Sequence, residues 1–223
     1  MTISVVNIAT NSGKTVTSLA ITVPAGGVPA GSLILVAVEN ISVTPTVTDT
    51  AGNSYSHSKS LGTTFLFWVG NCLPLVSGNT ITVSAASSTM AATAFYAVGV
   101  SAIADPSDVS GSAAVSTTTP TVSTSSGTTV SGELLVGILG TIGPSGDTFT
   151  QDSTNEGGFS ASPAPVRVGT SGGSATTNAT VAGGYVVWNS TGTATYAPTI
   201  TSRTGDILIV TFKPDILMAQ SWL

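Results

Sequence analysis

The sequence predicts an all-β fold, an antiparallel β-sandwich built from two loosely repeated halves, and three observations point there. Val, Ile and Thr fill 75 of the 223 positions, and β-branched side chains are stiff at χ1 and suit a pleated surface. Short apolar runs recur between clusters of Gly, Pro, Asn and Ser, with 25 Gly and 11 Pro along the chain, which is the punctuation of strands and turns. No long stretch keeps a 3.6-residue apolar period free of Gly, Pro or β-branched interruptions. One helical turn is expected at Asp105-Pro106-Ser107-Asp108, with Asp105 as cap and Pro106 in the first position.

The strands follow in order. Ser18 to Val23 alternates before Pro24-Ala-Gly-Gly, and Ser32 to Val38 is continuously apolar, as a strand covered on both faces must be. Thr46 to Asp49 leads into Thr50-Ala-Gly-Asn, a turn where the Asp49 carboxylate can accept backbone N–H bonds. Thr64 to Val69 is the most aromatic segment, Asn79 to Ala85 alternates cleanly, and Ala92 to Val100 must run through the core. The second half echoes the first. Gly31-Ser-Leu-Ile-Leu-Val returns as Gly132-Glu-Leu-Leu-Val-Gly, and Phe65-Leu-Phe-Trp-Val as Tyr185-Val-Val-Trp-Asn. Asn79-Thr-Ile-Thr-Val and its apolar successor return as Ala197-Pro-Thr-Ile-Thr and Asp206-Ile-Leu-Ile-Val-Thr-Phe. Between them lies Gly111 to Ser131, a linker or a polar edge strand. A lone four- or five-stranded sheet leaves one apolar face wet, so a single domain over residues 1–215 is expected, with halves at about 1–110 and 130–215.

Charge is scarce. Only 7% of residues are charged and the net charge is −5, against about 25% charged residues in a typical soluble domain. Five scattered Lys and Arg cannot neutralise a run of phosphates, so no nucleic-acid partner is expected. The single Cys72 excludes an internal disulfide framework and a thiolate-rich metal site. No apolar run reaches the roughly 18 residues a membrane helix needs. Residues 1–30 hold no basic region followed by an apolar core, so the expectation is a chain made without export and without a membrane partner.

No motif carries a reaction. Ser12-Gly13-Lys14-Thr15 resembles the tail of a phosphate loop, but Ile8 stands where that motif needs Gly, and a polar turn explains it. Gly169-Thr-Ser171-Gly-Gly173 matches a nucleophile elbow by letter only, without a helix to follow. His57 is the only histidine and reads as a surface or half-buried strand residue. The acids fall mainly in turns, at Asp49, Asp105, Asp108, Asp147, Asp152 and Asp206, which their backbone-bonding habit explains. Asp147 and Asp152 could share a calcium ion with loop carbonyls, but no acidic-loop spacing supports more, and no metal or cofactor is expected. The three Asn-X-Ser/Thr triplets, at Asn40, Asn178 and Asn189, are about what this composition yields by chance. Trp68 and Trp188 lie in apolar strands and read as core residues rather than sugar-stacking platforms. The apolar end is singled out for partner binding. Ile216, Leu217, Met218, Trp222 and Leu223, within 216–223, form either a closing strand or a tail that docks on a neighbouring subunit.

An ordered set of segments then gives a resemblance. Val23-Pro-Ala-Gly and Ala30-Gly-Ser-Leu-Ile-Leu-Val come first, followed by Val47-Thr-Asp-Thr-Ala-Gly-Asn-Ser-Tyr55. Phe67-Trp, Ile81-Thr-Val and Phe95-Tyr-Ala-Val-Gly-Val complete it. The set resembles the jelly-roll or lectin-like β-sandwich modules of tailed-bacteriophage virion proteins, over about residues 18–104, with the echo at 132–213 as a second half. The resemblance implies a non-enzymatic virion structural protein that decorates or stabilises the capsid, with the major capsid protein or other virion proteins as partners. It also implies a homo-oligomer, with a trimer as the expected form, located in the virion and made in the host cytoplasm. The second reading is a carbohydrate-binding or adhesin module with a glycan partner, since a fold does not fix a function.

Overall fold

The computed structural model describes residues 2–41, 43–143, 148–153, 159, 168–169, 178–201 and 204–216. Their regular structure is all strand, and every pairing between strands is antiparallel. The first large sheet takes β1 (Ser4–Thr22), β2 (Leu33–Asn40), β3 (Thr46–Asp49), β4 (His57–Leu61), β5 (Thr64–Val69) and β6 (Thr80–Val98). Its order is β1-β6-β2-β5-β4, with β3 paired to the early part of β6. In the second half of the chain come β7 (Ser107–Val115), β8 (Val122–Ser123), β9 (Glu133–Ile142), β10 (Phe149–Thr150) and β11 (Val168–Gly169). They are followed by β12 (Ala179–Trp188), β13 (Thr195–Tyr196), β14 (Thr199–Ile200) and β15 (Thr204–Phe212). The second large sheet runs β11-β12-β9-β15-β7, and β8 with β13 and β10 with β14 form two short ribbons.

Strand alternation sorts the core into three clusters. From β2, Leu33, Leu35 and Ala37 face the second sheet, together with Leu66, Trp68 and Phe95. Leu134, Val136 and Ile138 of β9, and Leu208, Val210 and Phe212 of β15, meet them from the other side. The intervening residues Ile34, Val36 and Val38 point the opposite way, into a cluster with Leu19, Ile21, Val47, Ile81 and Val83. On the far face of the second sheet, Leu135, Leu139, Ile207 and Ile209 pack with Val122, Tyr196 and Ile200 of the short ribbons. Both large sheets are therefore apolar on both faces, and β2 is buried over its whole length, as the continuous apolar run predicts. Each fully buried aliphatic side chain contributes roughly 1.5–3 kcal/mol, which favours strands of this kind over any half-wet alternative. Gly31 and Gly132, with φ of 80° and 85°, turn the chain into β2 and β9 in a conformation that other L-residues resist.

Three expectations change. Ser12-Gly13-Lys14-Thr15 lies inside β1, which begins fourteen residues before the predicted start at Ser18 and pairs Asn11 with Ala92 and Gly13 with Met90. Thr15, at φ 52°, sits at a register shift rather than at a phosphate loop. Second, the two predicted strands Asn79–Ala85 and Ala92–Val100 belong to one long strand, β6, because β1 pairs along it. Third, no helical turn forms at Asp105. Ser107 opens β7 and pairs with Phe212, while its N–H and hydroxyl donate to Asp105 Oδ1 at 3.2 and 2.7 Å. The stretch left open as a linker or polar edge strand contains the end of β7, which is the edge of its sheet.

Gly137 in β9 leaves room for an aromatic ring, since a Cβ there would meet the Tyr196 ring at 2.4 Å. Gly137→Ala is expected to destabilise the chain by about 1–3 kcal/mol through overpacking. Urea unfolding measures this, and a change below about 0.5 kcal/mol would mean that Tyr196 is not seated there.

Candidate functional site

Four places gather chemically able side chains. The first is a groove of roughly 580 Å³ between β3 and the segment that follows it, lined by Pro45, Val47, Asp49, Asn53, Tyr55 and Phe67 among others. One carboxylate organises its wall, as the turn sequence predicts. Asp49 Oδ1 accepts the N–H of Ala51 at 3.0 Å and of Asn53 at 3.1 Å, while Oδ2 accepts Asn53 Nδ2 at 2.8 Å and the Tyr55 hydroxyl at 2.9 Å. Asn53 ties this wall to the next loop through Leu73, by bonds of 3.2 and 2.6 Å. Burial first, then the Asp49 charge, pushes the Tyr55 hydroxyl far up, so it stays a donor. Burial also pushes the nearby Cys72 thiol to about 11, which leaves it protonated and unreactive.

The second place holds the histidine. His57 Nδ1 lies 3.3 Å from Asp105 Oδ2, and its ring stacks on Trp68 at 6.3 Å between centroids. Trp68 Nε1 donates to Asp105 Oδ1 at 3.0 Å, and Trp68 meets Phe212 edge-on at 5.4 Å. Histidine, aspartate and serine are thus neighbours, but the order is wrong for a nucleophile. Ser107 donates to Asp105, not to the imidazole, whereas an activated serine needs the base itself as its acceptor. Trp68, 5% exposed, is a core residue whose ring is already stacked by His57, which leaves little face for a sugar. Trp188 is partly buried against the third cluster.

Two pairs of acids form the remaining places. Asp108 Oδ2 accepts the Thr129 N–H at 2.7 Å and its hydroxyl at 2.8 Å, and Lys213 Nζ lies 3.1 Å from Oδ1. Burial works against the Asp108 charge, but the Thr129 N–H, a hydrogen bond from Glu133 and the other donors outweigh it and hold it down at about 2. Glu133 is driven the other way, by burial and by Asp108, and so holds its proton more tightly than an ordinary glutamate. A hydrogen-bonded carboxyl pair of this kind is too close for the roughly 5–9.5 Å separation that glycoside hydrolysis uses. Glu39 and Asp206 form the other pair, between the two large sheets. Thr64 Oγ1 donates to Glu39 Oε2 at 2.7 Å, and the Thr63 N–H donates to Asp206 Oδ2 at 3.1 Å. Glu39 is fully buried, which pushes its carboxyl up to about 7. Burial raises Asp206 as well.

The acids correct the sequence reading in part, since Asp108 and Asp206 lie in β7 and β15 rather than in turns. Glu39 and Glu133 escaped notice, although each interrupts or opens an apolar run, which is the signal of an acid inside a core strand. Among the described residues no three His, Cys, Asp or Glu side chains gather as a metal site. Asp152 is buried and accepts the Ala197 N–H at 2.9 Å; Asp147 lies outside the described residues, as does Ser171. Of the three triplets, Asn40 and Asn178 are buried. At the chain's end, Pro214 bridges Val100 and the Asp215 N–H donates to Gly99 O at 2.9 Å. Ile216 follows, 61% exposed, while Leu217, Met218, Trp222 and Leu223 lie outside the described residues.

Asp49→Ala is expected to cost about 2–3 kcal/mol in denaturant unfolding, because it removes hydrogen bonds to a charged acceptor. Tyr55→Phe is expected to cost about 1 kcal/mol alone and almost nothing when Asp49 is already alanine, so a double-mutant cycle checks the pair. Asp108 gives a pH dependence. Its folded value lies below the ordinary 3.8, so its stabilisation is present above that value and lost as pH falls through about 2. Asp108→Asn should flatten that acid limb, and an unchanged limb would count against the Thr129 and Lys213 contacts. Comparison with family models, curated proteins and solved structures finds no match to this chain.

Proposed function

We propose that this chain is a non-enzymatic structural protein of a tailed-bacteriophage virion, decorating or stabilising the capsid surface through protein–protein contacts. One observation carries the reading: the imidazole, thiol and carboxyl groups described above bond within the fold instead of converging on an open site. What is left for a partner is the exposed Ile216, a groove beside a short strand, and a surface with little charge. Such surfaces favour close association of like subunits, because little repulsion opposes it. The ordered segments from Val23 to Val100 supply the link to virion modules.

The finer fold belongs to the same proposal: a two-layer β-sandwich of two like halves. The strand orders β1-β6-β2-β5-β4 and β7-β15-β9-β12-β11 correspond member for member in support of it. So do the three sequence echoes, which relate β2 to β9, β5 to β12 and β6 to β15. The lectin-like two-layer form fits better than the jelly-roll form, because each large sheet draws its strands from one half of the chain.

Two measurements test the function. Light scattering after size exclusion should give three times 22.0 kDa; a monomer at 22.0 kDa would oppose the oligomer. Antibodies raised against the chain should label the heads of tailed particles released from producing cells. Label confined to tail tips, together with binding on a glycan array, would overturn the capsid assignment in favour of an adhesin.

A further inference from the structure

We propose that Glu39 and Asp206 form a proton-operated latch between the two large sheets, closed when Glu39 is protonated and loosened when it ionises. The geometry is reciprocal. Glu39, from β2, projects at Gly140 of β9, where a Cβ would stand 1.9 Å from Oε2 and 2.1 Å from Thr64 Oγ1. Asp206, from β15, projects at Gly62 beside β5, where a Cβ would stand 2.4 Å from its Oδ2. Each sheet thus supplies one acid and one glycine notch to receive the other's acid. Neither carboxyl would fit if the notches carried side chains.

The groups around Glu39 decide the sign. From β5 and the turn before it come the hydroxyls of Thr64 and Thr63, from β6 the paired Ala91, from β9 Gly140, and from β15 Asp206. Asp206 is the charged neighbour among them, and its charge opposes ionisation of Glu39. Among the described residues Glu39 Oε1 has no hydrogen-bond partner and no access to water, so a charge on the carboxylate is held chiefly through Oε2. Its folded value of about 7 stands above the ordinary 4.5. The stabilisation is therefore complete below about 4.5 and is lost as pH rises to 7, because the folded chain binds the proton more tightly than the unfolded one. The lost contact is local: the Thr63 N–H bond to Asp206 crosses between the sheets.

The inference does not depend on a virion role, and its test is separate. Thermal unfolding and amide exchange are followed on the full chain at pH 4.5 and pH 8. The folded-to-unfolded ratio is expected to fall on the order of 10²-fold across this range. Protection of the Thr63 amide, corrected for intrinsic exchange, should fall with it. In Glu39→Gln both changes should largely vanish, and the variant should exceed the parent in stability at pH 8. A Glu39→Gln chain that keeps the full pH dependence, or a Thr63 amide equally protected at both pH values, overturns the latch. Should Glu39→Gln fail to fold, a Gly140→Ala, Thr64→Ala variant is compared with the same variant carrying Glu39→Ala, since a Cβ at Gly140 would meet Thr64 Oγ1 as well as Glu39 Oε2. The notch requires the chain without Glu39 to be the more stable, and no rescue overturns it. Calcium chloride that restores stability at pH 8 as fully as acid does would overturn the proton assignment in favour of a cation site.

Discussion

Burial of both large sheets on both faces is the constraint on which the rest of this structure depends. A sheet with one wet face can place polar residues at every second position, but β2, β9 and β15 have no such freedom. Their odd and even residues mostly meet apolar neighbours, so the central strands read as runs of Leu, Ile and Val broken by glycines and by an acid near one end. Most polar residues are pushed outward, to β1, β3, β4 and the loops, or are held near the ends of the central strands, while Thr93 is buried within β6. The near absence of charge follows from the same arrangement. Three apolar clusters in a chain of this size leave few positions for Lys, Arg, Asp and Glu, and Ser and Thr fill what remains exposed.

Where acids do enter the buried layers, the structure meets them with backbone and hydroxyl donors rather than with cationic side chains. Thr129 serves Asp108, Thr64 serves Glu39, and the Thr63 N–H serves Asp206. Lys213 beside Asp108 is the exception among the pairs described. A threonine donor satisfies one oxygen without bringing a second charge to be desolvated, and it keeps the β-propensity the strand needs. The consequence is that the buried glutamates hold their protons more tightly than a solvated carboxyl does. Glu133 and Glu39 are both raised by burial, which makes proton binding a contribution to packing rather than to catalysis.

How much of this was legible in the sequence depends on the kind of interaction. Strands whose two faces are both apolar, such as β2 and β5, can be read directly, because the continuous run has no other stable home. The Asp49 turn is legible too, since an Asx residue before Thr-Ala-Gly-Asn writes its own hydrogen bonds. The first fourteen residues of β1 were not. Asn7, Asn11, Ser12 and Gly13 carry turn propensity, and only pairing along the far stretch of β6 makes them a strand. The helical turn failed similarly: Pro106 and the Asp105 cap favour it locally, but pairing of Ser107 with Phe212 draws the chain into the sheet. Asp206 reads as a turn residue until β15 is paired, and its meeting with Gly62 spans a separation no periodicity reveals.

The glycines make the same point from the other side. In a chain with 25 of them, a single glycine in a strand carries little meaning, and Gly137 and Gly140 read only as weak positions in β9. In the fold they are the two places where β9 admits something larger than a side chain would allow: the Tyr196 ring on one face and the Glu39 carboxyl on the other. The three-residue spacing puts them on opposite faces, since strand residues separated by an odd number alternate. One notch thus fixes the covering ribbon and the other fixes the facing sheet. β9 is the central strand of the second sheet, and its glycines set how both of its neighbouring layers lie against it. A side chain at either would leave the strand's hydrogen-bond ladder possible and remove the contact that gives the layers their register.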